Sequence, residues 1–379
     1  MKFTKLMLSA FVAAMALVSC NKEAHTPDDG SLKTVEISFE NILMTKGPAG
    51  EKINAGDKVT VNNIKIFLTD GSYSPSYEAK DLEGKDAKVA YDLVTDGNIL
   101  NTKLQFHYVS HKCNRVVVVA NVPNIETMSI TDVKNLTKNI DDQQDAKNLV
   151  LIADVPLQNT GKYNVEHTDQ QTELWEAKLT LKPAISRFEV DGFRVNFNDD
   201  TEFSKIQVAA IGFQNYYPSV NVGLNGGNAL SFYGTGSPQH INMDNDSEVY
   251  NWFNTISASQ WYVDEFKDDN VVELTKTNPV KDIEPLAYHF FAGNVIPTMV
   301  IKLYADSYPA YIYAEEFSSG NNTVNTLEAG KIYRMSGQCV ADGSTGAIII
   351  PDDLDPIQRC LDIQVTVHDW VVELVAPQF

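Results

Sequence analysis

The chain has 379 residues, and its 50 acidic and 30 basic side chains give a formal net charge of −20 and a pI of about 4.7. A surface this acidic repels phosphate backbones, which argues against nucleic acid as a partner and disfavours adsorption to anionic lipid. Hydrophobic residues make up 43% of the chain, enough for a globular core. Because domains usually hold about 100–200 residues, the length predicts two domains after a leader.

Residues 1–20 have the three parts of a bacterial lipoprotein signal peptide. Lys2 and Lys5 form a positive start, and residues 6–17 are apolar but too short to span a bilayer, which takes about 20 residues. The sequence Leu-Val-Ser-Cys then ends at Cys20, whose thiol would receive diacylglycerol before cleavage makes it the new N-terminus. Residues 21–30 are polar and are expected to form a flexible tether. No later apolar run is long enough for a membrane helix, so the lipid is the only membrane attachment that the sequence predicts.

The first strand of the mature chain is predicted directly after the tether. Val35, Ile37 and Phe39 alternate with polar residues; the phase then slips by one, and Ile42 and Met44 continue the apolar set. This pattern is typical of a strand that fills a core.

A glycine- and proline-rich stretch, residues 45–50, follows that strand. Such stretches form exposed loops, which are the usual sites of proteolysis. The bond between Lys46 and Gly47 suits a trypsin-like protease.

Most of the remaining apolar runs are short, and turn residues bound them, a pattern typical of antiparallel β-sandwiches. The continuous β-branched run at residues 115–121 predicts a strand buried on both faces. We predict an all-β fold with two antiparallel β-sandwich domains of Greek-key or transthyretin-like type and short helical turns. The other predicted strands are residues 58–61, 64–68, 176–181, 188–195, 205–213, 296–304, 310–317 and 331–339.

Residues 131–150 break the strand pattern. Thr131 is the predicted N-cap of helical turns that place Val133, Leu136 and Ile140 on one face. A domain boundary is predicted at Lys182-Pro183, where one strand ends and another soon begins. It divides the chain into an N-terminal domain, residues 47–182, and a C-terminal domain, residues 183–379.

No nucleophile elbow, phosphate-binding loop or zinc-protease motif occurs, so neither an enzyme nor a cofactor site is predicted. His107, His111 and Cys113 could share one strand face as metal ligands, but a solvated strand edge is the favoured interpretation. Residues 244–248 resemble the start of a calcium loop, yet Val249 and Thr255 stand where glycine and glutamate are needed. No metal site is therefore predicted.

The glycine-rich residues 223–227 are predicted to be a hairpin loop. Aromatic residues cluster at 216–217, 252–253, 261–262 and 288–291, where they could recognise a sugar or protein if exposed; burial between sheets is favoured. Three cysteines remain after Cys20, so at most one disulfide forms within the chain. Cys339 and Cys360, which flank a turn-rich loop, are the favoured pair over pairings with Cys113.

The end of the chain repeats the pattern of its start. Apolar residues alternate, the phase slips at Asp369, and the apolar set then continues. A C-terminal strand could therefore replace the N-terminal strand in another copy of the molecule. On pattern alone, the favoured alternative is that each strand closes its own domain. The apolar residues of this segment are Leu361, Ile363, Val365, Val367, Trp370, Val372 and Leu374.

These features together resemble the fimbrillins of type V pili, the FimA/Mfa-type fimbrial subunits of Bacteroidales. Order and spacing along the whole chain carry the resemblance, and no single motif decides it. Its landmarks are the lipobox at Cys20, the loop at residues 45–47, the run at 115–121, the helical stretch at 132–136 and the segment at 365–372.

The resemblance implies a route of assembly. A surface lipoprotein is cut after a basic residue, residues 21–46 leave with the first strand, and the groove accepts the C-terminal strand of the next subunit. Lys46 stands where the best-known members have arginine, which leaves the protease open. A shaft subunit with its own copies and related anchor and tip subunits as partners is the function implied. The alternatives are a tip or accessory adhesin, an anchored glycan-binding lipoprotein and, least favoured, a hydrolase.

Overall fold

A computed structural model gives the architecture. Strands make up 59% and helices 8% of the structure, with several antiparallel sheets, so the all-β prediction is confirmed. The structure describes residues 31–40, 42–44, 59–74, 76–93, 96, 99–164, 171–197, 203–224, 229–235, 237–238, 251–252, 261–267, 270–314, 317–319, 321–335, 348–350, 357–360, 363–364, 366–369 and 372–374.

Nine of the twelve described strands before the predicted domain boundary form two sheets, and β2, β3 and β8 pair with strands of the second half. The orders of the two sheets are β10-β11-β1-β6 and β12-β9-β7-β4-β5. The strands are β1 Leu32–Glu40, β2 Ile42–Met44, β3 Val59–Thr60, β4 Asn63–Thr69, β5 Ala90–Asp92, β6 Leu104–Ser110, β7 Arg115–Ala120, β8 Thr137–Asn139, β9 Leu151–Pro156, β10 Gln158–Asn164, β11 Thr172–Thr180 and β12 Lys182–Pro183.

The strands after it form two larger sheets and several small ones. The larger orders are β19-β13-β24-β28 and β17-β14-β20-β21-β26. The strands are β13 Ile185–Phe197, β14 Lys205–Gln214, β15 Ser219–Gly223, β16 Ser231–Thr235, β17 Val263–Glu265, β18 Val272–Thr275, β19 Val280–Phe291, β20 Thr298–Ala305, β21 Tyr308–Ala314, β22 Phe317–Ser319, β23 Asn322–Thr323, β24 Lys331–Met335, β25 Ile348–Ile350, β26 Ile357–Cys360, β27 Ile363–Gln364, β28 Thr366–Asp369 and β29 Val372–Leu374.

Strand β7 is buried on both faces, as its sequence predicts. Val116 and Val118 pack into the main core between the two N-terminal sheets, whereas Val117 and Val119 belong to a second cluster on the other side. Successive side chains of a strand point to opposite faces, so an unbroken β-branched run fits only a strand covered on both.

A short helix covers that second face. Helix α1, Ile130–Lys134, packs Ile130 and Val133 into the cluster. The predicted N-cap was wrong: Ser129 caps the helix, because Asp132 three residues on completes a reciprocal capping box.

The single helical face predicted for this stretch was also wrong. The helix ends at Lys134, and the next three residues form β8, which pairs with β15. Ile140 begins a 3₁₀ helix, Ile140–Gln143, and packs into the main core instead of the second cluster. Two further 3₁₀ helices span Ile99–Asn101 and Ile125–Thr127.

Aromatic side chains fill the C-terminal sandwich. Phe188 of β13 contacts the rings of Phe213, Phe290 and Phe317, with ring centroids 5.1–6.0 Å apart. Tyr216 is also buried. Burial is thus confirmed for Tyr216 and for the aromatic residues of 288–291, whereas Tyr217, Trp252, Trp261 and Tyr262 are half-buried, and residue 253 lies outside the described residues. The hairpin predicted at the glycine-rich loop has its two flanking strands, because β15 and β16 pair antiparallel from Gly223 opposite Ser231.

The two halves of the chain share contacts across the predicted boundary. Strand β8 of the first half joins β15 and β16 of the second in one sheet. His289 of β19 donates from Nδ1 to the Gln143 carbonyl oxygen at 2.8 Å. Burial, together with the charge of Arg187, lowers the pKa of His289 to about 3, so the ring is neutral at physiological pH. The boundary at residues 182 and 183 stays a prediction.

Candidate functional site

Strand β1 is an inner strand of its sheet. It pairs in parallel with β11, from Lys33 opposite Glu173 to Glu40 opposite Thr180, and antiparallel with β6 on its other side. An inner strand forms hydrogen bonds with the backbone N–H and C=O groups of both neighbouring strands. Withdrawal of β1 would therefore leave a groove with two unpaired edges, β6 and β11, which we call the β1 groove.

The apolar residues of β1 pack into the core, at positions that an occupant of the groove would have to fill. Val35 and Ile37 are both 0% exposed, and Phe39 is half-buried against the same core. Ile42 and Met44 lie in β2, whose backbone pairs with β29. Burial of one such aliphatic side chain contributes roughly 1.5–3 kcal/mol, so Val35 and Ile37 anchor the strand.

Lys33 is buried at the start of the strand, although it is not an apolar residue. Its Nζ donates to the Cys113 carbonyl oxygen and lies 3.9 Å from the centre of the Trp175 ring. Burial lowers the pKa of Lys33 to about 8, because the ammonium has lost its water. Burial also raises the pKa of the Cys113 thiol to about 11, so that group is neutral beside the ammonium.

A buried polar cluster surrounds Thr34. Its hydroxyl lies 2.8 Å from the hydroxyl of Thr172 and 3.4 Å from Nδ1 of His107, and Asn164 approaches both. The solvated edge expected for His107 was therefore wrong. A bulge between Lys33 and Val35, and the left-handed backbone of Tyr108, break the alternation of β6 and turn His107 inward.

Glu36 makes the charged contact of the strand. Lys103 donates to its carboxylate at 2.5 Å and Gln105 at 3.0 Å, both from β6 or just before it. Burial acts to raise the pKa of Glu36, but these two hydrogen bonds and the charge of Lys103 outweigh it and hold the pKa below its ordinary value. The groove thus recognises a cation, aliphatic side chains and an acid at fixed positions.

Three of the four strands that the structure describes in the C-terminal segment lie at sheet edges within their own chain, and the fourth, β29, is the middle strand of a small sheet. Strand β26 pairs with β21, β27 with β22, and β28 with β24. Strand β29 lies between β2 and β3, with Val372 opposite Ile42 and Leu374 opposite Met44. Ile363 and Val367 fall in β27 and β28, whereas Leu361, Val365 and Trp370 lie outside the described residues.

Several predicted site residues also lie outside the described residues. These are Cys20, Lys46, Gly47 and Cys339; Cys360 is described by its backbone in β26. Among the described part of the chain, no group of histidine, cysteine and acidic residues could hold a metal ion. The helices within the described ranges are all too short or too polar to cross a membrane.

Sequence reasoning missed the polar part of the groove. Lys33, Thr34, Trp175 and Asn164 were not singled out, since a lysine next to an apolar alternation reads as solvent-facing. A signal was present in Lys33 itself, because it shares the phase of Val35 and Ile37.

No family model and no curated protein matches this sequence. Solved structures do. A candidate cell adhesion protein from Parabacteroides distasonis ATCC 8503 is 11% identical with a TM-score of 0.50, over 90% of this chain and 98% of its own. The fimbrilin FimA from Porphyromonas gingivalis W83 is 12% identical with a TM-score of 0.45, over 92% and 99% of the two chains.

The tip fimbrial protein Mfa3 from Porphyromonas gingivalis is 10% identical with a TM-score of 0.39, over 90% of this chain and all of its own. At such low identity, structural similarity establishes a shared fold and nothing more. The first of these comparisons places the chain in the fold of the candidate cell adhesion protein along most of its length.

Proposed function

We propose that the chain is a structural shaft subunit of a surface fimbrium and not an enzyme. It is exported as a lipoprotein through Cys20, cut between Lys46 and Gly47, and polymerised when the C-terminal segment of one copy enters the β1 groove of the next. The fibre supports adhesion to other surfaces.

One observation carries the proposal: β1 is an inner strand that precedes the predicted cleavage loop, so a cut there would free a complete groove. Main-chain pairing along both edges provides affinity for an incoming strand, and side-chain positions set its register. The C-terminal segment has the matching apolar pattern. Similarity to a candidate cell adhesion protein agrees with this role.

The N-terminal residue of the protein on the cell surface tests the proposal. A chain that starts at Gly47 supports a shaft or tip subunit. A lipidated Cys20 on the mature protein contradicts it and supports an anchored glycan-binding lipoprotein that keeps β1 in place. Cys20→Ala should abolish incorporation of labelled fatty acid, with Cys113→Ala as the matched control.

Processing has its own test. Lys46→Ala should leave uncut, unpolymerised precursor, and Lys46→Arg should be cut normally, because both basic residues suit a trypsin-like protease. Ladders of polymers from Lys46→Ala would show that cleavage lies elsewhere or is not needed.

A further inference from the structure

The β1 groove recognises more than alternating apolar side chains. Lys33 puts an ammonium between the Cys113 carbonyl oxygen and the Trp175 ring, and three residues later Glu36 accepts hydrogen bonds from β6. An occupant therefore needs a cation, any residue, an aliphatic residue, an acid and an aliphatic residue in that order. In β1 this sequence is Lys-Thr-Val-Glu-Ile, residues 33–37.

The same order occurs once more near the end of the chain, where residues 359–363 read Arg-Cys-Leu-Asp-Ile. The match continues, since polar Gln364 and apolar Val365 follow as Ser38 and Phe39 follow in β1. Arg359 is the only lysine or arginine after Arg334. The one lysine or arginine among the last 45 residues therefore stands three positions before an acid, which is the spacing that the groove requires.

We propose that the donor strand begins at Arg359 and enters the β1 groove of the next copy parallel to the strand it replaces, with Arg359 in the place of Lys33, Asp362 in the place of Glu36 and Ile363 in the place of Ile37. This inference rests on the proposed function and adds to it the register, the direction and a charged recognition pair.

The buried polar groups of the groove favour this register. A guanidinium at the position of Lys33 stacks on the Trp175 ring and donates to the Cys113 carbonyl oxygen, and an arginine suits both contacts better than a lysine. A carboxylate at the position of Glu36 accepts from Lys103 and Gln105. Without a cation, the buried Cys113 oxygen would lose its side-chain donor.

The apolar pattern alone favours a different register. A shift of two residues aligns the phase change at Asp369 with that at Asn41, but it places Leu361 on the Lys33 position and Gln364 on the Glu36 position. The reversed direction also keeps the apolar pattern and places Ala376 on the Lys33 position. The reversed direction places an acid, Glu373, on the Glu36 position, but neither alternative supplies a cation, so polar recognition selects the proposed register although the apolar pattern favours another.

The register has a consequence for the donor subunit. Arg359 lies in β26, which pairs in parallel with β21 and is the outermost strand of its sheet. A donor strand that starts at Arg359 must leave β21, whereas a donor that starts at Leu361 need not. Release of an outermost strand breaks pairing on one side only.

Disulfide trapping between copies distinguishes the registers. Ser38 of β1 lies opposite the exposed Lys178 of β11, so the donor residue in the place of Ser38 will face Lys178. The proposed register puts Gln364 there, and the shifted one puts Thr366 there. We therefore compare Lys178→Cys combined with Gln364→Cys against Lys178→Cys combined with Thr366→Cys, and each single variant serves as a control for the native cysteines.

The Gln364 pair should give covalent ladders on non-reducing gels at least tenfold stronger than the Thr366 pair, because a disulfide needs Cβ atoms about 3.5–4.5 Å apart. If fibres form but the Thr366 pair is trapped as strongly as the Gln364 pair, or more strongly, the proposed register is wrong. Absence of fibres from the unmodified protein contradicts the proposed function itself.

Arginine substitution tests the recognition pair. Arg359→Ala should slow fibre growth about tenfold or more, and Arg359→Lys should restore most of the rate, since hydrogen bonds to charged groups are stronger than neutral ones. Gln358→Ala is the matched control on the same strand, because its counterpart in β1 is the exposed Leu32. Thermal unfolding of each monomer separates misfolding from slow assembly. An unchanged rate for Arg359→Ala in a folded monomer overturns the proposal.

Discussion

The first strand and the last strands of this chain have similar sequences but different structural settings. Strand β1 is nine residues long and pairs from Lys33 to Glu40 with β11 and from Leu32 to Ile37 with β6. The described residues of the C-terminal segment form strands of four, two, four and three residues that belong to four different sheets. A pattern of apolar residues shows that a segment can form a strand, but the number of neighbours sets how firmly it is held.

The difference suits the two segments for different parts in assembly. A strand paired on both sides with two fully buried aliphatic side chains cannot leave readily, so its removal calls for cleavage of the chain. Strands β26, β27 and β28 are short and lie at sheet edges, so they lose less on release, whereas β29 is equally short but is paired on both sides. The following predictions test this contrast, from the largest expected effect to the smallest.

The largest effect is expected from charge in the donor strand. Leu361→Asp with Ile363→Asp should abolish fibres, because in the proposed register these residues take the buried places of Val35 and Ile37, where uncompensated carboxylates cost several kcal/mol. Electron microscopy and heat-resistant ladders measure assembly, and circular dichroism follows the monomer. Intact fibres would contradict exchange through this segment, and an unfolded monomer would show that the strand closes its own domain.

Ile37→Ala should destabilise the uncut precursor by about 2–5 kcal/mol, because it leaves a cavity in a site with 0% exposure. The same substitution should have no effect on the cleaved subunit, which has lost β1. Urea unfolding before and after protease treatment measures both states. Ser38→Ala, on the half-buried side of the strand, is the control with little expected change. An equal loss after cleavage would show that β1 stays bound.

The stability of the uncut precursor should rise between pH 7 and pH 10. The pKa of Lys33 is about 8 in the folded protein against 10.5 ordinarily, so between these values the unfolded chain binds more protons and higher pH favours folding. The gain is at most on the order of 3 kcal/mol. Lys33→Met should remove this part of the pH dependence. Chemical unfolding at three pH values compares the two proteins, and parallel profiles would contradict burial of the ammonium.

The smallest effect is expected for the contact at the mouth of the groove. Lys103→Ala should lower the stability of the precursor slightly. The difference from the unsubstituted protein should disappear in about 1 M salt, because salt at that concentration screens exposed charges. The Lys103 side chain is 69% exposed, and exposed ion pairs contribute little. Lys85→Ala, in an ion pair far from β1, is the matched control. A large loss of stability that salt does not remove would contradict an exposed ion pair between Lys103 and Glu36.

Local sequence patterns predicted those strands whose burial follows directly from the spacing of their apolar residues. Strands β7, β13 and β14 lie where predicted. The spacing of their apolar residues indicates whether one face or both faces of a strand are buried. The same reasoning failed for the N-cap at Thr131, since the competing capping box of Ser129 and Asp132 supplies two hydrogen bonds instead of one.

Long-range contacts account for what was missed at the site. The partners of Lys33, Thr34 and Glu36 lie 67 to 138 positions away in sequence. Lys33 shares the phase of Val35 and Ile37, but the local pattern of β1 does not show that this lysine lies under Trp175. A bulge that turns His107 inward is equally invisible, because it depends on the backbone of the neighbouring strand.

The sequence by itself determined the all-β class, the two segments with matched apolar patterns and the order of chemical groups within each, since these follow from residue type and spacing. Only the tertiary structure decided that β1 is an inner strand, that its lysine is buried beside a carbonyl oxygen and an indole, and that β26, β27 and β28 lie on sheet edges. The physical reason is that pairing and burial are properties of neighbours, and the neighbours of a strand are brought together by the fold.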